Sequence, residues 1–265
     1  MNWLIAETKR QDKSFSVSEI SSPGNETKYR VVGEKIAEGD HTLEITSYQS
    51  KNLFSSGTHL ETAFWMSDFK DRGFLESFLP SNLEYDQFEM EIDVDLTTGR
   101  LAGYHNLYSN GDVREITRNV WNIKTPAYFN TSSLFFHIVP TRVINSEEVF
   151  TYRSKLNANN DFEVTIYSKE KGLASFVRSK TTQILDELEK TWGPWPHPKL
   201  VVYAEDTTTG GMEYHGATIT SPRALRHELV HSYFARGVMP ANGNSGWIDE
   251  AIARWSDNLY FQNKK

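Results

Sequence analysis

The chain has 265 residues, of which 38% are hydrophobic and 13% aromatic, a composition typical of a folded globular protein and too apolar for a disordered one. Its formal net charge of −7 disfavours nucleic acid or an anionic membrane as a partner. The absence of cysteine excludes disulfides and cysteine-ligated zinc, so a metal site must use His, Asp or Glu. No apolar run approaches the roughly 18 residues of a membrane span. The apolar start Trp3–Ala6 is too short for a signal peptide, and compartment and oligomeric state stay open.

The first half of the chain has a β pattern. Residues 1–28 are polar and predict a loose lead-in or one irregular strand. Apolar and acidic residues then alternate over Phe88–Asp95, which predicts a strand with one face towards a core. Ser109–Asp112 predicts a hairpin turn, and Leu134–Val139 predicts a buried strand that ends at Pro140. We therefore expect an N-terminal antiparallel β-sheet or sandwich domain over residues 1–158, without a catalytic constellation.

The second half mixes strands and helices. A polar loop at Asn157–Asp161 predicts the domain boundary, so the second domain covers residues 159–265. Strands are expected at 162–167, 200–204 and 217–220. A helix is expected over residues 171–192, where Gly193 and Pro194 stop it. The whole chain is thus predicted to be α+β, with a β domain followed by an α/β domain.

A metal-binding motif lies near the C-terminus, where His227–His231 reads His-Glu-x-x-His. On a helix the two histidines share one face and can both ligate one zinc ion. Glu228 between them can act as general base on the attacking water. The helix is signalled independently, because Ser221 can cap it, Pro222 fits its first turn and Gly237 supplies a stop.

A second helix is expected to begin near Trp247 and to carry a third ligand. Eighteen residues separate His231 from Glu250, so the chain can turn round and return a carboxylate to the metal. Three protein ligands with an open fourth position are typical of a catalytic zinc site, and one Zn²⁺ per chain is expected. Asp257, two turns after Glu250, is a candidate to hydrogen-bond the far nitrogen of a ligating histidine. A solvated helix charge is the alternative.

These motifs together resemble the gluzincins of the aminopeptidase N type. That family reads Trp-Leu-Asn-Glu-Gly around its third ligand, where this chain has Trp247–Ala251, Trp-Ile-Asp-Glu-Ala. Gly210–Tyr214, Gly-Gly-Met-Glu-Tyr, is similar to the family's Gly-x-Met-Glu-Asn motif, and the two motifs occur in the family's order. Tyr214 replaces the usual Asn, and the segment from Glu213 to His227 is shorter than usual in the family.

The resemblance implies a zinc peptidase with a thermolysin-like catalytic domain and peptides as its substrates. Glu213 would bind the free α-amino group of the substrate, which makes the enzyme an aminopeptidase, and Gly211 and Met212 would lie along the substrate. The family also has a helical lobe and a transition-state-stabilising Tyr well beyond the third ligand. Because the sequence ends at Lys265, either the chain is a fragment that lacks both or the protein departs from the family in this respect.

Two other functions stay open from the sequence. The chain could be a non-catalytic peptide-binding or scaffold protein that retains the gluzincin fold. It could also be a zinc endopeptidase, if Glu213 does not face the metal. The side-chain preference of a peptidase is not indicated by the sequence, because its specificity pocket is assembled from several loops.

Overall fold

The computed structural model describes the strands within residues 4–64 by their backbone. It also describes residues 87–262 apart from 88, 98–102, 131–132, 157–158, 207–209 and 239–246, with side chains up to residue 258. The chain divides into two compact units, residues 1–51 and 52–265. The predicted domain boundary at residue 158 lies outside the described residues and stays a prediction.

The first unit is a four-stranded antiparallel sheet of order β3-β2-β1-β4. Its strands are β1 (Leu4–Arg10), β2 (Lys13–Ile20), β3 (Lys28–Val32) and β4 (Thr42–Thr46). In β2, Phe15 and Val17 alternate with serines, which is the period-two pattern of a strand. The prediction of a loose lead-in or one irregular strand over residues 1–28 was therefore wrong, because two regular strands lie there.

Two antiparallel sheets form the first part of the second unit, as the β pattern predicted. One has the order β5-β6-β11-β8 and the other β7-β10-β9. Their strands are β5 (Leu53–Ser56), β6 (His59–Phe64), β7 (Glu91–Asp95), β8 (His105–Ser109), β9 (Asp112–Thr117), β10 (Val120–Lys124) and β11 (Phe136–Pro140). In β7 the acidic residues are exposed and Ile92 and Val94 are half-buried, which confirms the predicted alternation.

The predicted hairpin at Ser109–Asp112 was wrong. Strands β8 and β9 flank this turn, but β8 pairs with β11 and β9 pairs with β10. The side chain of Asn110 explains the difference. Its amide donates to the carbonyl oxygens of Ser133 (2.6 Å) and His215 (2.9 Å), and its own oxygen accepts from the Phe135 N–H (2.9 Å). These long-range hydrogen bonds hold the turn between two sheets instead of closing it into a hairpin.

A five-stranded sheet of order β12-β13-β14-β16-β15 carries the rest of the chain. Its strands are β12 (Ser146–Tyr152), β13 (Phe162–Ser168), β14 (Lys199–Ala204), β15 (Gly211–Tyr214) and β16 (Ala217–Thr220). The three central strands are parallel, and both edge strands run antiparallel to their neighbours. The predicted strands near 162, 200 and 217 are confirmed. The sequence pattern missed β12 and β15, because β12 carries Ser146 and Glu148 on its half-buried face and β15 is only four residues long.

Three helices pack with this sheet: α1 (Leu173–Trp192), α2 (Leu225–His231) and α3 (Trp247–Gln262). Helix α1 ends where it was predicted to end, at Gly193, whose φ of 98° favours glycine. No helix in the described part of the chain combines the length and apolar character needed to cross a membrane. Mixed sheets followed by helices agree with the predicted α+β class.

The five-stranded sheet has an apolar core on each face. Alternate residues of β14 divide between them: Leu200 and Val202 lie in the core with the helices, whereas Val201 and Tyr203 lie in the core with β8 and β11. The short helix α2 is anchored in the helical core by Leu225 and Leu229, both fully buried. Since α2 carries His227 and His231, these two candidate metal ligands lie on a helix that is anchored in this core.

Candidate metal centre and active site

Helix α2 is shorter than the sequence predicted. The predicted cap, Ser221, begins a turn in which its backbone oxygen accepts from the N–H of Leu225 (3.0 Å), and regular helix runs from Leu225 to His231. The helix ends six residues before Gly237. A tight loop follows, in which Ala235 has a φ of 111°, and a Cβ at position 237 would lie 2.8 Å from the backbone oxygen of Tyr233. This loop replaces the last predicted turns.

The structure brings the three predicted metal ligands together. The Nε2 atoms of His227 and His231 lie 3.1 Å apart. One carboxylate oxygen of Glu250 lies 3.3 Å from Nε2 of His227, and the other lies 3.7 Å from Nε2 of His231. Zinc bonds of about 2.0–2.1 Å at tetrahedral angles would separate neighbouring ligand atoms by about 3.3–3.4 Å. The donor set and its spacing therefore fit a zinc ion.

The three ligands differ in exposure. The side chain of His231 is 1% exposed and that of His227 is 14% exposed, whereas Glu250 is 48% exposed. The two histidines are thus fixed by packing, and the side of the cluster next to Glu250 is open to solvent. A position open on one side is what a catalytic metal site needs, because water and substrate must reach it.

Two aspartates face the far nitrogens of the histidines. Nδ1 of His227 donates to Asp257 at 3.1 Å, as the sequence analysis proposed for Asp257, and this hydrogen bond raises the pKa of His227. Nδ1 of His231 lies 3.8 Å from a carboxylate oxygen of Asp249, and this buried nitrogen has no hydrogen-bond partner among the described residues. Sequence reasoning missed Asp249, although it directly precedes Glu250. Such carboxylates fix the tautomer and the ring orientation of metal-binding histidines.

Glu228 is buried beside the three ligands. Burial raises the pKa of Glu228 well above its usual range, and the neighbouring carboxylates of Glu213 and Glu250 add to this effect. Its carboxyl group lies against Gly211 of the edge strand β15, where a Cβ would approach to 2.6 Å. A buried carboxyl group with a raised pKa beside a candidate metal site can accept a proton and later donate it.

The edge strand β15 brings Glu213 to the cluster. A carboxylate oxygen of Glu213 lies within 4.8 Å of a ring nitrogen of His231 and of a carboxylate oxygen of Asp249. Met212, the neighbouring residue, instead packs into the apolar core with Tyr214. Of the three predicted substrate residues, Gly211 and Glu213 therefore lie at the site, whereas the placement of Met212 favours a packing role.

Arg236 also lies at the site, although no motif in the sequence indicates it. It follows α2 by five residues, is buried, and donates from Nη2 to Oε1 of Glu213 at 3.2 Å. It meets Glu213 only because the loop after α2 folds back towards β15, a contact between residues 23 positions apart.

Solved structures with a similar fold include zinc metallopeptidases. The M1 zinc metallopeptidase from Deinococcus radiodurans matches with a TM-score of 0.65 at 15% sequence identity, over 99% of this chain and 61% of that protein. The chain has the fold of the M1 zinc metallopeptidases. Native yeast LTA4 hydrolase also matches, with a TM-score of 0.60 at 12% identity over 87% of this chain and 37% of that protein. The expected likeness to the aminopeptidase N type is thereby confirmed at the level of the fold.

A more distant M1 match is an aminopeptidase N family protein from Idiomarina loihiensis. Its TM-score is 0.51 at 10% identity, over 86% of this chain and 38% of that protein. The chain thus spans about three fifths of the Deinococcus enzyme and less of the other two. No protein-family model and no curated protein matches the sequence.

Proposed function

We propose that this chain is the zinc-binding part of a peptidase, most specifically an aminopeptidase that removes N-terminal residues from peptides. The observation that carries the proposal is the cluster of His227, His231 and Glu250, with ligand atoms 3.1 to 3.7 Å apart and a buried Glu228 beside them. The M1 fold supports a zinc peptidase, and a mutant of the Deinococcus enzyme has been crystallised with a Tyr-Ser-Ala substrate.

In this proposal His227, His231 and Glu250 hold one zinc ion, while Asp257 and Asp249 orient the two imidazoles. Zinc bound there would supply Lewis-acid chemistry, which acidifies water and polarises a carbonyl group. Glu228 takes the proton of the attacking water and passes it to the leaving amine. Its raised pKa suits both steps, because the carboxyl group can hold the proton between them.

The exopeptidase part of the proposal depends on Glu213. A carboxylate fixed on β15, near His231, can pair with the charged α-amino group of a peptide. The distance between that carboxylate and the metal then selects the first peptide bond for cleavage. Glu213 faces the cluster, which favours an aminopeptidase over an endopeptidase.

The test combines metal content, turnover and a single substitution. We expect the purified chain to contain zinc, and to hydrolyse aminoacyl anilides in a manner that chelators abolish. Glu228→Gln should retain zinc and lose turnover by a factor of about 10³ or more. The matched control, Glu115→Gln at an exposed position of β9, should change neither. Stoichiometric zinc without turnover would instead favour the non-catalytic binding protein. Cleavage of N-acetylated peptides as fast as free ones would favour an endopeptidase.

A further inference from the structure

We infer that Arg236 is a positioning residue that holds Glu213 in place as the anchor for the substrate's α-amino group. This inference rests on the proposed function. It starts from the ion pair between the two side chains, in which Nη2 of Arg236 lies 3.2 Å from Oε1 of Glu213, with the side chains 2% and 5% exposed. Among the described residues, Arg236 is the hydrogen-bond partner of the Glu213 carboxylate.

The Arg236–Glu213 ion pair lies in an acidic environment, where the positive charge of Arg236 opposes repulsion between carboxylates. Four other carboxylates lie at the site, those of Glu228, Asp249, Glu250 and Asp257. Repulsion from them would turn an untethered Glu213 side chain away from the site. A guanidinium hydrogen-bonded to Oε1 fixes the carboxylate and leaves its second oxygen available for an ammonium group.

Backbone hydrogen bonds hold the loop that carries Arg236 in a fixed position. The Arg236 N–H donates to the backbone oxygen of His231 (3.1 Å), and the Ala235 N–H donates to that of Val238 (3.0 Å). Ala235 holds a φ of 111°, a conformation that costs an L-residue energy and persists only where the surroundings impose it. Arg236 is therefore tied to the end of the helix that carries His231. It sets the spacing between the metal ligands on α2 and the carboxylate on β15.

Two buried histidines near Arg236 are uncharged. His197 and His215 lie near the guanidinium, and burial lowers the pKa of these histidines to about 4 and about 2, so both are neutral at neutral pH. Nε2 of His197 donates to the backbone oxygen of Ser232, the first residue of the same loop (3.0 Å). The histidines thus support the loop and do not compete with Arg236 for the carboxylate.

The test measures binding, so that it does not depend on turnover. Calorimetric titration of the zinc-loaded chain compares leucinamide, which has a free α-amino group, with N-acetyl-leucinamide. Glu213→Gln and Arg236→Met should each weaken the binding of leucinamide by about tenfold and leave the affinity for N-acetyl-leucinamide unchanged. The double variant should be no weaker than either single one, because both substitutions remove the same anchor.

Removal of one partner of a buried ion pair is strongly destabilising, so a second variant keeps the inference testable if Arg236→Met does not fold. Arg236→Lys retains the charge but not the planar guanidinium. It should weaken the binding of leucinamide at least threefold without changing the affinity for N-acetyl-leucinamide. Unchanged leucinamide binding in the folded Arg236 variants would overturn the inference, as would an equal loss for both ligands. If the unmodified chain binds leucinamide and N-acetyl-leucinamide with equal affinity, the aminopeptidase proposal itself is wrong, whatever the Arg236 variants show.

Discussion

The carboxyl group of Glu228 lies directly against the α-carbon of Gly211. A Cβ at position 211 would stand 2.6 Å from both Cγ and Cδ of Glu228, closer than any real Cβ contact. The edge strand and the helix that carries the candidate metal ligands therefore meet at a glycine, and the position of the proposed general base depends on the absence of a side chain there.

Gly211→Ala should consequently displace Glu228 and lower kcat, on the order of 100-fold for a shift near 1 Å. Zinc content should not change, because the three atoms nearest to a Cβ at position 211 all belong to Glu228 and none to a candidate metal ligand. Gly210→Ala is the matched control, since a Cβ there would meet nothing within 4 Å, and it should have the smaller effect on kcat. Equal kcat values for the two variants would show that Glu228 can move without loss.

The aspartates behind the histidines should control metal affinity. Asp257→Ala removes the acceptor of His227 Nδ1, and Asp249→Ala removes the carboxylate nearest to His231 Nδ1. Each should weaken zinc binding by about 10–100-fold, as loss of such partners generally does. Competition with a chromogenic chelator measures this, and Asp112→Ala, at an exposed position of β9, serves as the control. Unchanged zinc affinity in both variants would exclude the orienting role.

The buried histidines should make the fold sensitive to acid. The pKa values of His197 and His215 in the folded chain are lowered to about 4 and about 2, from an ordinary value of 6.5. As pH falls below about 6.5, the unfolded chain binds protons that the folded chain does not. The free energy of unfolding should then fall by about 1.4 kcal/mol per pH unit for each histidine. Above that pH neither state binds the protons, and this contribution is constant.

Urea unfolding of the metal-free chain between pH 7.5 and 5 checks this dependence. His215→Gln should make the decline with falling pH shallower by about 1.4 kcal/mol per unit, whatever its effect at pH 7.5. An identical slope for the variant and the unmodified chain would show that His215 titrates normally.

Ala235 offers a test of strain in the loop after α2. Its φ of 111° is unfavourable for alanine but not for glycine, so Ala235→Gly should raise the free energy of unfolding by about 1 kcal/mol. Ala251→Gly, at an exposed position of α3, should instead lower it by about 0.5–1 kcal/mol through helix propensity. Destabilisation by both substitutions would mean that Ala235 is not strained.

The sequence predicted those parts of the site that depend on local geometry. The spacing of His227 and His231 follows from the helical period, and the return of Glu250 was expected from a second helix of ordinary length. Arg236 and Asp249 were missed, because their partners depend on how the loop after α2 folds and how α3 is rotated about its axis. The hairpin prediction at Ser109–Asp112 was also wrong because of contacts between distant residues. There the side-chain hydrogen bonds of Asn110 to Ser133 and His215 outweighed a strong local turn signal.

The rotation of α3 has a consequence for the whole chain. Its apolar residues Trp247, Ile248 and Trp255 are exposed, whereas the face turned inwards carries the small or polar Asp249, Ala253 and Ser256. Among the side chains of α3 that the structure describes, Ile252 and Ala253 are the hydrophobic ones that pack against the helical core. A cation bound by both histidines and Glu250 would link α3 to α2. In the presence of a chelator, α3 should therefore detach at a lower temperature than that at which the sheet unfolds.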